Sequence, residues 1–82
     1  MKLLIISPEH QSSYIIEWLE VHTPQGNLVI QSGHAPLIVT LVPHKDMTFL
    51  LKTGETHNIR LDRPGFLEVD RTAVTALISQ IQ

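Results

Sequence analysis

The sequence predicts an all-β domain, a two-sheet antiparallel β-sandwich of about eight to ten short strands. The apolar residues recur with a period of two or in short β-branched runs, which is the spacing of strands and not of helices. Pro, Gly, Asn and Asp interrupt those runs about every ten residues, and each interruption reverses the chain. With 82 residues, the chain has room for one core, so residues 1–82 form a single domain. So many short strands in so small a domain require two packed sheets or a barrel, because one flat sheet would leave its second apolar face wet.

The first strand spans Leu3 to Ser7, an apolar run that stops at Ser7-Pro8-Glu9. The same stop makes the run shorter than the apolar region of a signal peptide, which needs about seven residues or more. The second strand covers Ile15 to His22. Trp18, the only tryptophan, lies there among Ile16, Leu19 and Val21 and is read as a core residue, with an interface anchor as the alternative. Glu17 and Glu20 stand three apart in that strand, so alternation sends them to opposite faces, where they cannot cooperate as acid and base.

The turn Pro24-Gln25-Gly26-Asn27 leads into a strand at Leu28 to Gln31, and Ser32-Gly33 leads into another at Pro36 to Val42. Val42-Pro43-His44 precedes Met47 to Lys52, which Lys52-Thr53-Gly54-Glu55 joins to His57 to Leu61 as a hairpin. Met47, Phe49 and Leu51 share one face of that hairpin; Thr48, Leu50 and Lys52 share the other. Arg63-Pro64-Gly65 opens the strand Phe66 to Asp70, and Ala73 to Leu77 follows. Only Tyr14 to Val21 and Thr72 to Ile81 could hold more than one turn of helix, and both are rich in β-branched residues. The tail after Ala76 permits a short helical turn, since Ala and Leu tolerate one.

Composition excludes several functions. A content of 43% hydrophobic and 17% charged residues describes a folded chain, not a disordered one. The net charge of -2, with Arg60, Arg63 and Arg71 interleaved among Asp62, Glu68 and Asp70, offers no field for nucleic acid or anionic lipid. The absence of cysteine removes disulfides and thiolate chemistry and suits a reducing compartment, with the cytoplasm as the default. No run reaches the roughly 18 apolar residues of a membrane span, so direct membrane insertion is not expected.

Reactive constellations are also missing. His10, His22, His34, His44 and His57 are too far apart in sequence to give the short ligand pairs of a metal site. Ser12, Ser13 and Ser32 lie outside a Gly-x-Ser-x-Gly elbow, and Gly33, Gly54 and Gly65 are isolated turn glycines rather than a phosphate loop. No catalytic residue, metal or cofactor is assigned, and protein binding is the expected role.

The segment Gly26-Asn27-Leu28-Val29-Ile30-Gln31-Ser32-Gly33-His34-Ala35-Pro36-Leu37 resembles the most recognisable stretch of the ATP synthase epsilon subunit. In that family a Gly-acid-apolar-Gly-Ile turn and strand run into Pro-Gly-His-Ala-Pro-Leu, and Gly33 to Leu37 match in sequence. The family's opening strand ends in Ser/Thr-Pro-Glu or similar, as Leu3-Leu4-Ile5-Ile6-Ser7-Pro8-Glu9 does. Its late Gly-Gly-Phe/Ile-Leu-Glu-Val and Val-Thr-Val-Leu segments correspond to Pro64-Gly65-Phe66-Leu67-Glu68-Val69 and Ala73-Val74-Thr75-Ala76-Leu77. Each segment alone is an ordinary turn or strand start; together, in order over the whole chain, they are specific.

The resemblance implies the N-terminal β-sandwich of a non-catalytic rotor-stalk subunit of an F-type ATP synthase, binding the gamma subunit and the c ring and supporting proton-driven ATP synthesis. It implies a cytoplasmic location, peripheral on the inner face of a membrane through the synthase. By the same resemblance Ser7, His34, Ala35, Pro36, Leu37 and Val39 face gamma, and the turn Gln25, Gly26 and Asn27 faces the c ring. Pro36 cannot donate to a ladder and independently favours a strand start or edge that leaves His34 and Ala35 accessible.

The departures are Asn27 for the family's acidic residue, Val29 for its glycine, Ser32 for its proline, Tyr14-Ile15 for an early Ser-Gly, and Pro64 for the first late glycine. They bear on the ring contact more than on the fold. The family usually continues into a helical hairpin that can inhibit ATP hydrolysis and in some members binds ATP, whereas this sequence closes at Gln82. A shortened subunit without inhibition is therefore expected. The alternative is an epsilon-like sandwich reused outside the synthase as a stand-alone binding or regulatory module, which the changes at Asn27, Val29 and Tyr14-Ile15 favour. Calorimetry with ATP at physiological concentration is expected to show no saturable binding, and a submillimolar affinity would contradict this expectation.

Overall fold

The computed structural model describes residues 1–79. Eight strands follow in chain order: β1 (Lys2–Ile6), β2 (Gln11–Thr23), β3 (Gly26–Gln31), β4 (Leu37–Leu41), β5 (Lys45–Leu51), β6 (Thr56–Leu61), β7 (Gly65–Val69) and β8 (Ala73–Leu77). There is no helix among the described residues. Ile78 and Ser79 continue without helical structure, and the rest of the tail considered for a helical turn lies outside the described residues.

Each predicted strand is present, within a few residues of its expected ends. The largest shift is at β2, which starts at Gln11 because Gln11 to Ile15 pair with β1 in the register Ile6↔Gln11 to Lys2↔Ile15. The loop between them is closed by the Ser7 amide donating to the His10 carbonyl at 2.9 Å. Gln11-Ser12-Ser13 carries no apolar alternation, so partner strand β1 imposes its extended form.

The strands form two sheets joined through β2. The first runs β4-β7-β8-β1-β2 and the second β3-β2-β5-β6, with β2 contributing its first part to one and its last part to the other. All pairs are antiparallel except β1 with β8, whose register runs from Lys2↔Ala73 to Ile6↔Leu77. The register along β2 shifts between Ile16 and Trp18, the mark of a β-bulge. That extra residue reverses the in-out alternation: Ile16 is buried before it, Leu19 and Val21 after it.

The bulge corrects two expectations. Trp18 is half-buried and turned away from the core, flanked across the second sheet by Gln31 and Leu50, because strict alternation fails at this point. Glu17 and Glu20 both lie outside the core instead of on opposite faces, for the same reason.

Between the sheets lies one core, with Leu3, Ile5, Leu67, Val69, Val74 and Ala76 from the first and Leu19, Val21, Ile30, Met47, Phe49 and Leu61 from the second. No polar or charged residue is buried with them among the described residues. Phe49 is fully buried and packs its ring against Tyr14 and His57, with centroids 5.0 and 5.5 Å away. Burying such a side chain contributes on the order of 1.5–3 kcal/mol.

Gly65, expected as a turn glycine, is instead the buried first residue of β7. A Cβ at this position would lie 2.8 Å from the Leu77 carbonyl oxygen and 3.2 Å from Ile78 Cγ2, so β8 could not approach as closely. Gly65→Ala is expected to destabilise the domain by about 1–3 kcal/mol. Urea denaturation of the variant beside wild type measures this, and an unchanged midpoint would contradict the packing account.

Candidate protein-docking site

The segment ahead of β4 is held by its backbone. Gly33 adopts a φ of 86°, a left-handed conformation open to glycine, and its amide donates to the Arg71 carbonyl at 2.8 Å. That bond fastens the β3–β4 connection to the β7–β8 turn. The His34 amide donates to the Gln31 carbonyl at 3.1 Å, and His34 Nδ1 lies 2.7 Å from the Ala35 carbonyl. A carbonyl only accepts, so Nδ1 carries the proton in this contact and Nε2 remains for another partner. Ala35 and Pro36 are exposed and His34 is half-buried.

Strand β4 is at the edge of the first sheet, paired with β7 alone in the sheet order. Leu37 and Val39 turn inward and pack against the core, while Ile38 between them is 71% exposed. Ile38 belongs to an outer row Ile38–Glu68–Thr75–Leu4, and the next row is Thr40–Phe66–Leu77–Ile6. Phe66 and Leu77 are 55% and 46% exposed. The first sheet therefore shows water an apolar surface that a monomer has little reason to keep.

The outer face of the second sheet is more polar. Its row Val29–Glu20–Thr48–Asn58 contains a hydrogen bond from Thr48 Oγ1 to Asn58 Oδ1 at 2.7 Å, and Asn27 Nδ2 donates to Glu20 Oε2 at 3.2 Å. Arg60 and Asp46, both about half exposed, form the only ion pair among the described residues, at 3.8 Å. Such a pair contributes little.

The structure separates the residues that sequence reasoning grouped. His34 to Leu37 lie at one end of the first sheet, where Leu37 is level with Val69, Val74 and Leu3. Ser7 follows Ile6, level with the far end of β4, about 13 Å farther along the strands and three strands across. Gln25, Gly26 and Asn27 are exposed at the tip of the β2–β3 hairpin. Thr23 Oγ1 braces that tip, donating to the Gly26 carbonyl at 2.9 Å and accepting the Gln25 amide at 3.1 Å. The Val42 amide donates to the His22 carbonyl at 3.0 Å, so the tip lies toward the Ser7 end of the sandwich.

Sequence reasoning missed Ile38, Phe66 and Leu77. Phe66 was legible, because core positions at Leu67 and Val69 send Phe66 and Glu68 outward. Ile38 was not, because Leu37-Ile38-Val39 is apolar throughout. Among the described residues no group of three or more His, Cys, Asp or Glu side chains is placed to hold a metal ion.

This sandwich geometry matches known proteins. The family model for the β-sandwich domain of the ATP synthase delta/epsilon chain covers residues 1–82. The chain belongs to that family. Membership bears out the resemblance found around Gly33 to Leu37.

Two solved structures share the fold. One is a chain of the Euglena gracilis mitochondrial ATP synthase, from a cryo-EM structure of OSCP, F1 and the c-ring, with 14% identity and a TM-score of 0.84. The other is a chain from the central stalk and c-ring of the Tetrahymena thermophila mitochondrial ATP synthase, with 14% identity and a TM-score of 0.82. They cover 98% and 100% of this chain, which spans 51% and 65% of theirs.

Burial sorts the delta/epsilon domain's site residues into separate experimental classes. Ile38→Gln and His34→Asp are expected to change folding stability by no more than about 0.5 kcal/mol, because neither side chain is enclosed. Leu37→Glu directs a carboxylate at the core and is expected to cost about 2 kcal/mol or more. Thermal melts of the three variants check this order.

Proposed function

We propose that this delta/epsilon domain is a rotor-stalk module of an F-type ATP synthase that docks on the gamma subunit through the outer face of its first sheet and supports proton-driven ATP synthesis without catalysis. The observation that carries this reading is the exposed apolar surface of the first sheet in a domain of this family, with Ile38 next to Ala35 and Pro36, and Phe66 and Leu77 toward the Ser7 end. Leu37 and Val39 serve it by anchoring β4 to the core, which aims Ile38 outward. Ser7 is a second contact point at the opposite end of the same sheet.

The braced tip Gln25, Gly26 and Asn27 is the proposed contact with the c ring. Asn27, tied to Glu20, meets polar loops there through neutral hydrogen bonding instead of the family's usual charge. A packed two-sheet body transmits torque passively between these contacts, since a dense interior yields little to strain. The matching location is peripheral on the inner, cytoplasmic face of the membrane, held through the synthase. No helix among the described residues is long and apolar enough to cross a membrane.

Calorimetry against the gamma subunit of the same organism, with and without the c ring, tests the assignment. Ile38→Gln and Phe66→Glu are each expected to weaken binding about thirtyfold, the effect of about 2 kcal/mol at a docking anchor, while their melts stay near wild type. If wild type binds neither gamma alone nor gamma with the ring, the stand-alone module is the correct reading.

A further inference from the structure

A groove of about 400 Å³ opens where β4 begins, lined by Pro36, Leu37, Ile38, Glu68, Val69 and Asp70. Its lining is apolar apart from two carboxylates, and it contains no cation. Glu68 has Ile38 opposite it on one side and Thr75 on the other. Asp70 is partly engaged, as its Oδ1 accepts the Arg71 amide at 2.8 Å. Arg71 in the adjoining turn and Lys2 beyond β8 are the nearest cations in the strand layout. Neither forms an ion pair with these carboxylates among the described residues.

The groove borders Ile38, the most exposed large hydrophobic side chain among the described residues, so a partner seated on that face covers Glu68 as well. A carboxylate covered by apolar surface loses its water and would oppose docking unless a positive charge met it. Lysine and arginine suit both parts of the groove, because each lays an apolar stem on a surface while its charged head reaches past it.

We propose that the docking partner inserts a lysine or arginine into this groove, its stem on Pro36 and Ile38 and its cationic head on Glu68, with Asp70 beside it. The inference rests on the docking reading above and specifies the chemistry of the partner at one position. It makes Glu68 a selector of partners: a neutral or acidic side chain at the matching position is rejected.

The test is calorimetry of Glu68→Gln and Glu68→Lys against the same gamma subunit at low and high salt. Glu55→Gln, in the β5–β6 turn of the other sheet, is the matched control for charge. Glu68→Gln is expected to lose about tenfold in affinity and to flatten the salt dependence of binding, and Glu68→Lys to lose more. Glu55→Gln should stay within about twofold of wild type, and melts of all variants should coincide, since Glu68 is exposed.

If wild type binds gamma and both Glu68 variants match it within twofold, the inference is overturned and the docking reading stands. If wild type does not bind gamma, the docking reading fails and takes the inference with it. Sedimentation that shows a dimer broken by Glu68→Lys would make a second copy the occupant and overturn the proposal equally.

Discussion

Strand β2 is a 13-residue strand shared by two sheets, and the bulge between Ile16 and Trp18 lets it serve both. A strand crossing from one layer to the other must turn its apolar side toward the same interior from a new direction. One additional residue does this, moving the inward positions from Ile16 to Leu19 and Val21. Without it, alternation would place Leu19 and Val21 in water and Trp18 and Glu20 in the core, since a one-residue slip exchanges the faces of every later side chain. Both sheets, the position of β3 and the tip at Gln25 to Asn27 depend on that correction.

The two outer faces that result are unequal. The second sheet places Glu20, Asn27, Thr48, Asn58, Asp46 and Arg60 outward, where they bond among themselves. The first places Ile38, Phe66 and Leu77 outward around Glu68. Strand β4 is the edge of that sheet, and such edges risk pairing with foreign strands. Pro36 just ahead of it and the Gly33 tie to Arg71 hold the edge's starting end in one conformation. A partner thus meets a side-chain surface more readily than a bare strand edge.

Much of this was legible in the sequence. Period-two runs and turn chemistry located all eight strands, and Gly33-His34-Ala35-Pro36-Leu37 carried the family. What escaped was set by pairing between distant residues. Gln11 to Ser13 are polar and become a strand only because β1 lies beside them. The inversion at Trp18 has no local signal, and neither does the division of Leu37-Ile38-Val39 into two inward side chains and one outward. Gly65 resembles any turn glycine until the Leu77 carbonyl is seen against it. The proposed contact residues were chosen by likeness to a family, and burial later divided that set between core anchors and exposed margin.

The parallel pairing of β1 with β8 joins Lys2–Ile6 to Ala73–Leu77 across nearly the whole length of the chain. A ribosome adding about 5–20 residues per second needs roughly 4–14 seconds between making these two strands. During that interval β1 can pair with β2, yet its other edge has no native neighbour, and the core positions Leu3 and Ile5 lack Val74 and Ala76. Long-range β contacts of this kind also slow folding after release, because the loop between the strands must close before either gains from the pairing. The nascent domain is consequently most vulnerable to aggregation and to chaperone capture just before its last strand emerges.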